Sequence, residues 1–164
     1  MPDHHTLQEI LEHVRRGTLD PAAAEQLIIS LPVGEVANLD LNRADRCGIP
    51  EVILAEGKDT DALVKIMHSY FRAAGRVLAS RISPEQTAAV LADLPDDITA
   101  DYRENCRILI LSDGTVPAPS GGTVAIVTAG TSDIRVAEEA RAIAEEMGAA
   151  VITAYDVGVA GIHR

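Results

Sequence analysis

Apolar positions recur along the chain with two distinct periods. Ile10, Leu11 and Val14, and then Ala24, Leu27, Ile28 and Leu31, follow helical spacing and predict two short helices. Thr6-Leu7-Gln8-Glu9 has the form of a capping box ahead of the first helix, and Gly17 ends it. Asp20-Pro21 supplies an N-cap and an N1 proline for the second, which is expected to run up to Pro32. This pair reads as an αα-hairpin too small to be stable alone. Short β-rich runs follow at residues 37–41 and 52–55. Gly57-Lys58-Asp59 then makes a turn into a helix carrying Leu63, Ile66, Met67, Tyr70 and Phe71, which Gly75 ends. Residues 77–80 predict another strand. Ser83-Pro84-Glu85-Gln86 is a second capping box, opening a helix with Val90, Leu91 and Leu94 inward and Pro95 as its stop. The unbroken apolar run Ile108-Leu109-Ile110-Leu111 predicts a buried strand. Tyr102, Cys106 and Arg107 stand at its start without a motif of their own.

The last third has the sharpest pattern. A β-branched run at 123–128 breaks into Ala129-Gly130-Thr131-Ser132-Asp133. A helix is predicted next, with Val136, Ala140, Ile143 and Met147 on its inner face and Arg135, Glu139, Arg141 and Glu145 in i,i+4 pairs outside. Gly148 stops that helix, 150–155 reads as a second strand, and a loop from Asp156 onward leaves its end. This is a β-α-β unit with small-residue loops on the carboxyl side of both strands, where α/β proteins place ligands. Residues 115–122 hold two prolines among glycines and read as a linker, with a boundary near 112–121. The fold class is therefore α/β: a small N-terminal α/β domain with a leading αα-hairpin over 1–114, then a β-α-β unit over 122–164. An alternative joins the strands near 124–128 and 151–155 to the first sheet. A two-stranded parallel sheet with one crossover cannot bury both its faces, so exposed apolar surface and self-association into a homo-oligomer are expected.

Composition narrows the function classes. The chain has 164 residues, enough for one compact domain or two small ones, and 47% are hydrophobic but only 2% aromatic. Its core must rest on Ala, Val, Ile and Leu. No run approaches the roughly 18 apolar residues of a membrane span, and no basic-then-apolar signal opens the sequence, so a cytoplasmic, non-membrane protein is expected. The formal charge of −11 argues against nucleic acid as a partner. Among the basic residues only Lys58 and Lys65 are lysines, and arginine suits bidentate recognition of anions. Cys47 and Cys106 lack metal-site spacing and are expected as reduced thiols. His4, His5 and His13 form no ligand pattern.

Two clusters can carry chemistry. The loop Gly130-Thr131-Ser132-Asp133 offers backbone N–H groups, two hydroxyls and a helix N-terminus, the ingredients of an anion site. Asp133 would repel a phosphate but can cap the helix or hold a ribose hydroxyl. A plain strand-to-helix turn with Ser132 or Asp133 as N-cap explains the same residues. Arg43 and Arg46, three apart, and Lys58 after the next strand make either a small positive site for phosphate or carboxylate, or a surface ion-pair cluster with Glu51.

The residues themselves match a known pattern. Gly130-Thr131-Ser132-Asp133 and Gly161-Ile162-His163-Arg164 resemble the first loop and the strand-end motif of the aminoimidazole-ribonucleotide carboxylase (PurE-like) fold. The extra threonine and the Ala-Gly-Ile before His163 are closer to the related LarB family, which reads TAGTSD and then YDVGVAGxHR. That family's signature Asp-x-x-Arg-x-x-Arg-x-Gly-x-Pro-Glu-Val-Ile ending in Gly-Lys is also complete here, from Asp40, Arg43 and Arg46 to Gly57 and Lys58. Cys47 falls at a variable position of it.

The resemblance implies a PurE-like parallel-sheet domain of which residues 122–164 are the first part. It implies a role in nickel-pincer nucleotide biosynthesis: carboxylation of nicotinic acid adenine dinucleotide at C5 of the pyridinium ring, with hydrolysis releasing AMP. Carbon dioxide or bicarbonate would be co-substrate, magnesium is compatible with the anhydride cleavage, no tightly bound cofactor is expected and no metal ligands are named. Gly130, Thr131 and Ser132 would contact phosphate, and Asp133 would hold ribose or cap the helix. Asp156, His163 and Arg164 would line the neighbouring loop, with His163 as an acid–base candidate. The expected nucleophilic cysteine of the family would lie beyond residue 164, so this chain alone would be inactive. The rival readings are a PurE-type enzyme on aminoimidazole ribonucleotide and a non-enzymatic nucleotide-binding regulatory module.

Overall fold

Two sheets share one helix. The computed structural model describes residues 7–33, 37–40, 43, 49–92, 94–95 and 98–160. Helices α1 (Leu7–Arg15) and α2 (Pro21–Ile29) form the expected hairpin. The Asp20 carboxylate accepts from the N–H groups of Ala22 and Ala23 at 3.0 and 3.3 Å, which caps α2 ahead of its N1 proline. Thr6 lies outside the described residues. Contrary to the sequence reading, α2 stops at Ile29, and β1 (Ser30–Val33) pairs antiparallel with β2 (Ala37–Asp40). Pro32 explains the change: it disfavours helical backbone at Leu31, and a two-stranded ribbon leaves it an edge where no N–H is needed.

The next six elements make the N-terminal sheet: β3 (Val52–Leu54), α3 (Thr60–Ala74), β4 (Arg76–Ser80), α4 (Pro84–Leu91), β5 (Thr99–Arg103) and β6 (Ile108–Ser112). Strand order is β3-β4-β6-β5, with β3 and β4 parallel and β6 antiparallel to both its neighbours. Asp59 caps α3 by accepting from Ala62 N–H, and Gly75 closes it at φ 71°. Both halves of the Ser83–Gln86 capping box are formed, and the Gln86 amide also donates to the carbonyls of Ala55 and Lys58 at 3.2 and 3.0 Å. The box thereby ties α4 to the turn after β3. Helix α4 ends at Leu91, whose side chain is exposed, so only Val90 and part of Leu94 turn inward as expected. Strand β5 was not foreseen, because an edge strand of Thr, Ala, Asp, Tyr and Arg carries no apolar alternation.

Strand β6 is buried along its whole length because both faces of the sheet are covered. On the front, Ile53, Val77, Leu109 and Leu111 pack against Leu63, Ile66 and Met67 of α3 and Val90 of α4. On the rear, Leu78, Ile108 and Ile110 pack with Cys106 against Ala142, with Val52 and Ile143 at the margin. Ala142 and Ile143 belong to α5 (Ile134–Glu146), which also packs on β7 (Thr123–Val127) and β8 (Ala150–Ala154). Those two strands are parallel, Val124 opposite Val151 and Val127 opposite Ala154, and form a sheet of their own. The alternative of one continuous sheet does not hold.

Helix α5 is rotated from the sequence reading. Ala137, Glu138 and Ala142 are buried, whereas Val136 is 68% exposed and Met147 39%. A helix flanked by two sheets uses its small residues for close approach, and apolar residues all round it blur the single stripe that periodicity looks for. The outward face of β7–β8 is bare: Val127 and Ile152 are 60% and 62% exposed.

The segment after β6 is stitched down rather than loose. Ser120 donates through its N–H and hydroxyl to the Gly148 carbonyl at 2.8 and 3.2 Å. Gly148 has φ 74°, and a Cβ there would stand 2.0 Å from the Ala118 carbonyl oxygen. Gly148→Ala therefore carries both backbone strain and a backbone clash, and is expected to cost about 2–4 kcal/mol of stability in denaturant unfolding.

Candidate functional site

The loops after β7 and β8 are fastened to each other. Thr128 N–H donates to the Ala154 carbonyl at 3.0 Å, and the Thr128 carbonyl accepts from Val157 N–H at 3.0 Å. Gly158 N–H reaches the Ala129 carbonyl at 2.9 Å, and Asp156 N–H reaches the buried Thr128 hydroxyl at 3.1 Å. Asp156 adopts φ 55°, a left-handed conformation that Asp tolerates better than most residues. The two candidate loops therefore form one surface at the carboxyl ends of parallel strands, the position where α/β folds take ligands.

Residues Thr131–Asp133 form a single 3₁₀ turn leading into α5. Asp133 stands at the N-cap of α5 but makes no side-chain capping bond, and no acidic residue occupies the helix's first turn. The first amides of α5 are thus not bonded by a capping side chain, although the Asp133 carboxylate stands beside them. Thr131 and Ser132 are exposed beside it, as is Arg135.

Helix α5 relates this end to the N-terminal sheet. The Arg76 guanidinium, at the start of β4, holds Glu146 at the helix C-terminus at 2.5 and 2.7 Å. Arg81, just past the end of β4, lies 3.9 Å from Glu139, two turns nearer the helix N-terminus. Strand β4, and with it the parallel β3, therefore runs antiparallel to α5, so the carboxyl ends of β3, β4, β7 and β8 all point one way. The Gly57-Lys58 turn lies at the end of the molecule that bears the two loops.

Of the sequence-predicted residues, Gly130, Thr131, Ser132, Asp133 and Asp156 are brought together. Lys58 is exposed in its turn at that same end. Arg43 makes an exposed ion pair with Glu51 at 3.8 Å, worth little by itself, and burial pushes the Glu51 carboxyl up despite Arg43. Arg46, Cys47, His163 and Arg164 lie outside the described residues. His13 shares a hydrogen bond with Thr18. Cys106 is buried in the seam between the two units, where burial pushes its thiol up.

A polar row extends the Arg141–Glu145 pair expected from sequence. Glu138, Arg141 and Glu145 lie at i,i+3 and i,i+4 positions along α5, with Arg141 Nε 2.8 Å from Glu145 and Nη1 3.5 Å from Glu138. Tyr155 donates its hydroxyl to Glu138, and Arg103 of β5 donates to Glu145 at 2.6 Å. The Arg141–Glu145 spacing was legible; the cross-unit partners Arg103 and Tyr155 had no sequence signal.

Fold and loops define a mixed α/β protein with two joined loops at the carboxyl ends of its parallel strands. Residues 32–113 match the LarB/PurE-like N-terminal domain, and the chain belongs to that family. It is also similar to an uncharacterized protein of Methanocaldococcus jannaschii, 40% identical over 140 residues, 80% of this chain and 52% of the relative. The chain spans about half the length of that relative. Among the described residues no helix is long and apolar enough to cross a membrane.

The ion pairs of the row set an acid limit. Burial alone would raise the Glu145 carboxyl, but hydrogen bonds from Arg141 and Arg103 outweigh it and hold it below the ordinary carboxylate range. Its stabilisation is therefore complete above the unfolded value of about 4.3 and is lost as pH falls through the depressed one. Glu145→Gln is expected to cost about 1 kcal/mol at pH 7. That deficit should shrink progressively in urea unfolding as the pH is lowered below about 4.

Proposed function

We propose that this chain carries the phosphate-binding part of a nucleotide carboxylase of the LarB type. The observation that carries this reading is Gly130. Its φ of −128° is open to any residue, and a Cβ there would meet only the Ser132 hydroxyl, at 3.9 Å. Neither a left-handed φ nor packing asks for glycine there, and close approach of a ligand to the backbone would make use of one. In this reading the α5 amides, Thr131 and Ser132 hold a phosphoryl group, and Asp133 and Asp156 hold ribose hydroxyls. Lys58, Arg43, Arg46 and Arg164 meet further anionic groups, and His163 carries a proton.

The proposed substrate of the whole protein is nicotinic acid adenine dinucleotide, with carbon dioxide or bicarbonate. A cationic pyridinium is too electron-poor to attack carbon dioxide. A thiolate must first add to the ring, so that the new C–S bond leaves an enamine whose C5 attacks carbon dioxide. Loss of the C5 proton and departure of the thiolate restore the aromatic ring, and water cleaves the anhydride to release AMP. Cys106 is unsuited to that addition, being buried with its thiol pKa raised. In this reading magnesium would enter with the phosphates it neutralises. The bare β7–β8 face supports burial within a homo-oligomer.

Calorimetry with three ligands tests the binding reading. Nicotinic acid adenine dinucleotide and AMP are expected to bind and aminoimidazole ribonucleotide is not. Preference for the last would favour a purine-type enzyme, and binding of none would overturn the proposal. Gly130→Ala should weaken binding about tenfold while moving stability by less than about 1 kcal/mol. A second expectation concerns turnover: the chain by itself should not convert the dinucleotide and bicarbonate to AMP and the dicarboxylate mononucleotide, and steady release of both products measured by chromatography would contradict it.

A further inference from the structure

We propose that Arg103, although it belongs to the N-terminal sheet, is a positioning residue for the loop after β8, acting through Glu145, Arg141 and Glu138 on Tyr155. Its functional meaning rests on the reading of the two loops as the ligand site. Glu138 is only 9% exposed. A carboxylate in such a place needs partners, because desolvation without them is unfavourable. Its partners are Arg141, at 3.5 Å, and the Tyr155 hydroxyl. Tyr155 is the first residue past β8, and the next one, Asp156, is held at φ 55°. A non-glycine residue stays left-handed only where its surroundings fix it. Bonds from the Asp156, Val157 and Gly158 N–H groups to the Thr128 hydroxyl and the Thr128 and Ala129 carbonyls hold the backbone after it, and the Tyr155 side chain fixed on Glu138 is the anchor before it.

From Glu138 the row continues along one face of α5. Arg141 bonds Glu145 at 2.8 Å, and Glu145 accepts from Arg103 at 2.6 Å, while Arg103 is braced on its own strand by Asp101 at 3.0 Å. Seven residues of helix separate the two glutamates, about 10 Å. The row therefore converts the placement of the N-terminal sheet into the placement of the first residue of the loop. It has an internal control. Arg76 crosses the same seam to Glu146 with two hydrogen bonds and is similarly covered, its side chain 27% exposed against 25% for Arg103. Glu146 is off the row, however, and the remaining Arg76 bond goes to the Thr115 carbonyl, away from the loop. The two arginines join the same units, but only Arg103 is connected to Tyr155.

The experiment follows the backbone amide resonances of Asp156, Val157 and Gly158 in the full chain. Arg103→Ala and Tyr155→Phe should both shift them, Arg103→Lys should largely restore them, and Arg76→Ala should leave them in place. The same order is expected for orthophosphate affinity, with Arg103→Ala lowering it several-fold and Arg76→Ala leaving it unchanged. Equal shifts from both alanine variants would mean general loosening of the seam and would overturn the proposal, as would unmoved amides in Arg103→Ala. If orthophosphate moves no amide of either loop in the unaltered chain, the site reading fails, while the contrast between the two arginines is still decided by the resonances.

Discussion

The contact between α5 and the rear face of the N-terminal sheet holds the molecule in its arrangement. A mixed sheet with Leu78, Ile108 and Ile110 on its second face must cover that face, and no helix of the N-terminal unit does so among the described residues. Ala142 lets α5 approach closely, and Ile143 fills the margin. Arg76 and Arg103 then close the polar rim against Glu146 and Glu145. An apolar centre ringed by charge-assisted bonds resists sliding in a way that either part alone would not. The direction of α5 follows from this contact, and with it the common direction of the four parallel-sense strand ends around the candidate site.

How much of this the sequence disclosed depended on whether a residue's role was local. The capping box at Ser83, the Asp59 cap and the Gly75 stop are set by neighbours within four positions, and each is formed as its residues suggest. The same is true of the β-α-β unit and its two small-residue loops. Strands β1 and β5 escaped because their identity comes from pairing: Pro32 and the polar run Thr99–Arg103 become strands only beside β2 and β6. The facing of α5 was misjudged for a related reason. Val136 and Met147 look like core residues by spacing, but the helix spends its small side chains, not its large ones, on the two sheets. In the candidate site, the glycine and hydroxyl loop was readable by type and spacing. The row that ends on Tyr155 was not, since its outer members lie in different units.

The family match covers residues 32–113, whereas the loops with the best anion chemistry begin after it. The structure relates the two regions physically. The sheet of the matched region is completed by α5, and α5 begins at the loop that offers its amides. The arginine-rich signature around Arg43 and the Gly57-Lys58 turn need not act as a second, separate centre, because β3 delivers Lys58 to the same end of the molecule.

Sharing a helix between sheets also has a consequence for synthesis. When Ser112 leaves the ribosome the N-terminal sheet has all its strands, but the helix that covers its rear is about thirty residues away. At about 5–20 residues per second, Leu78, Ile108 and Ile110 wait roughly two to six seconds for Ala142 to emerge. During that interval the nascent chain presents a greasy, half-finished layer to solvent, a natural stopping place for a chaperone and a vulnerable one for a misfolding neighbour on the same polysome.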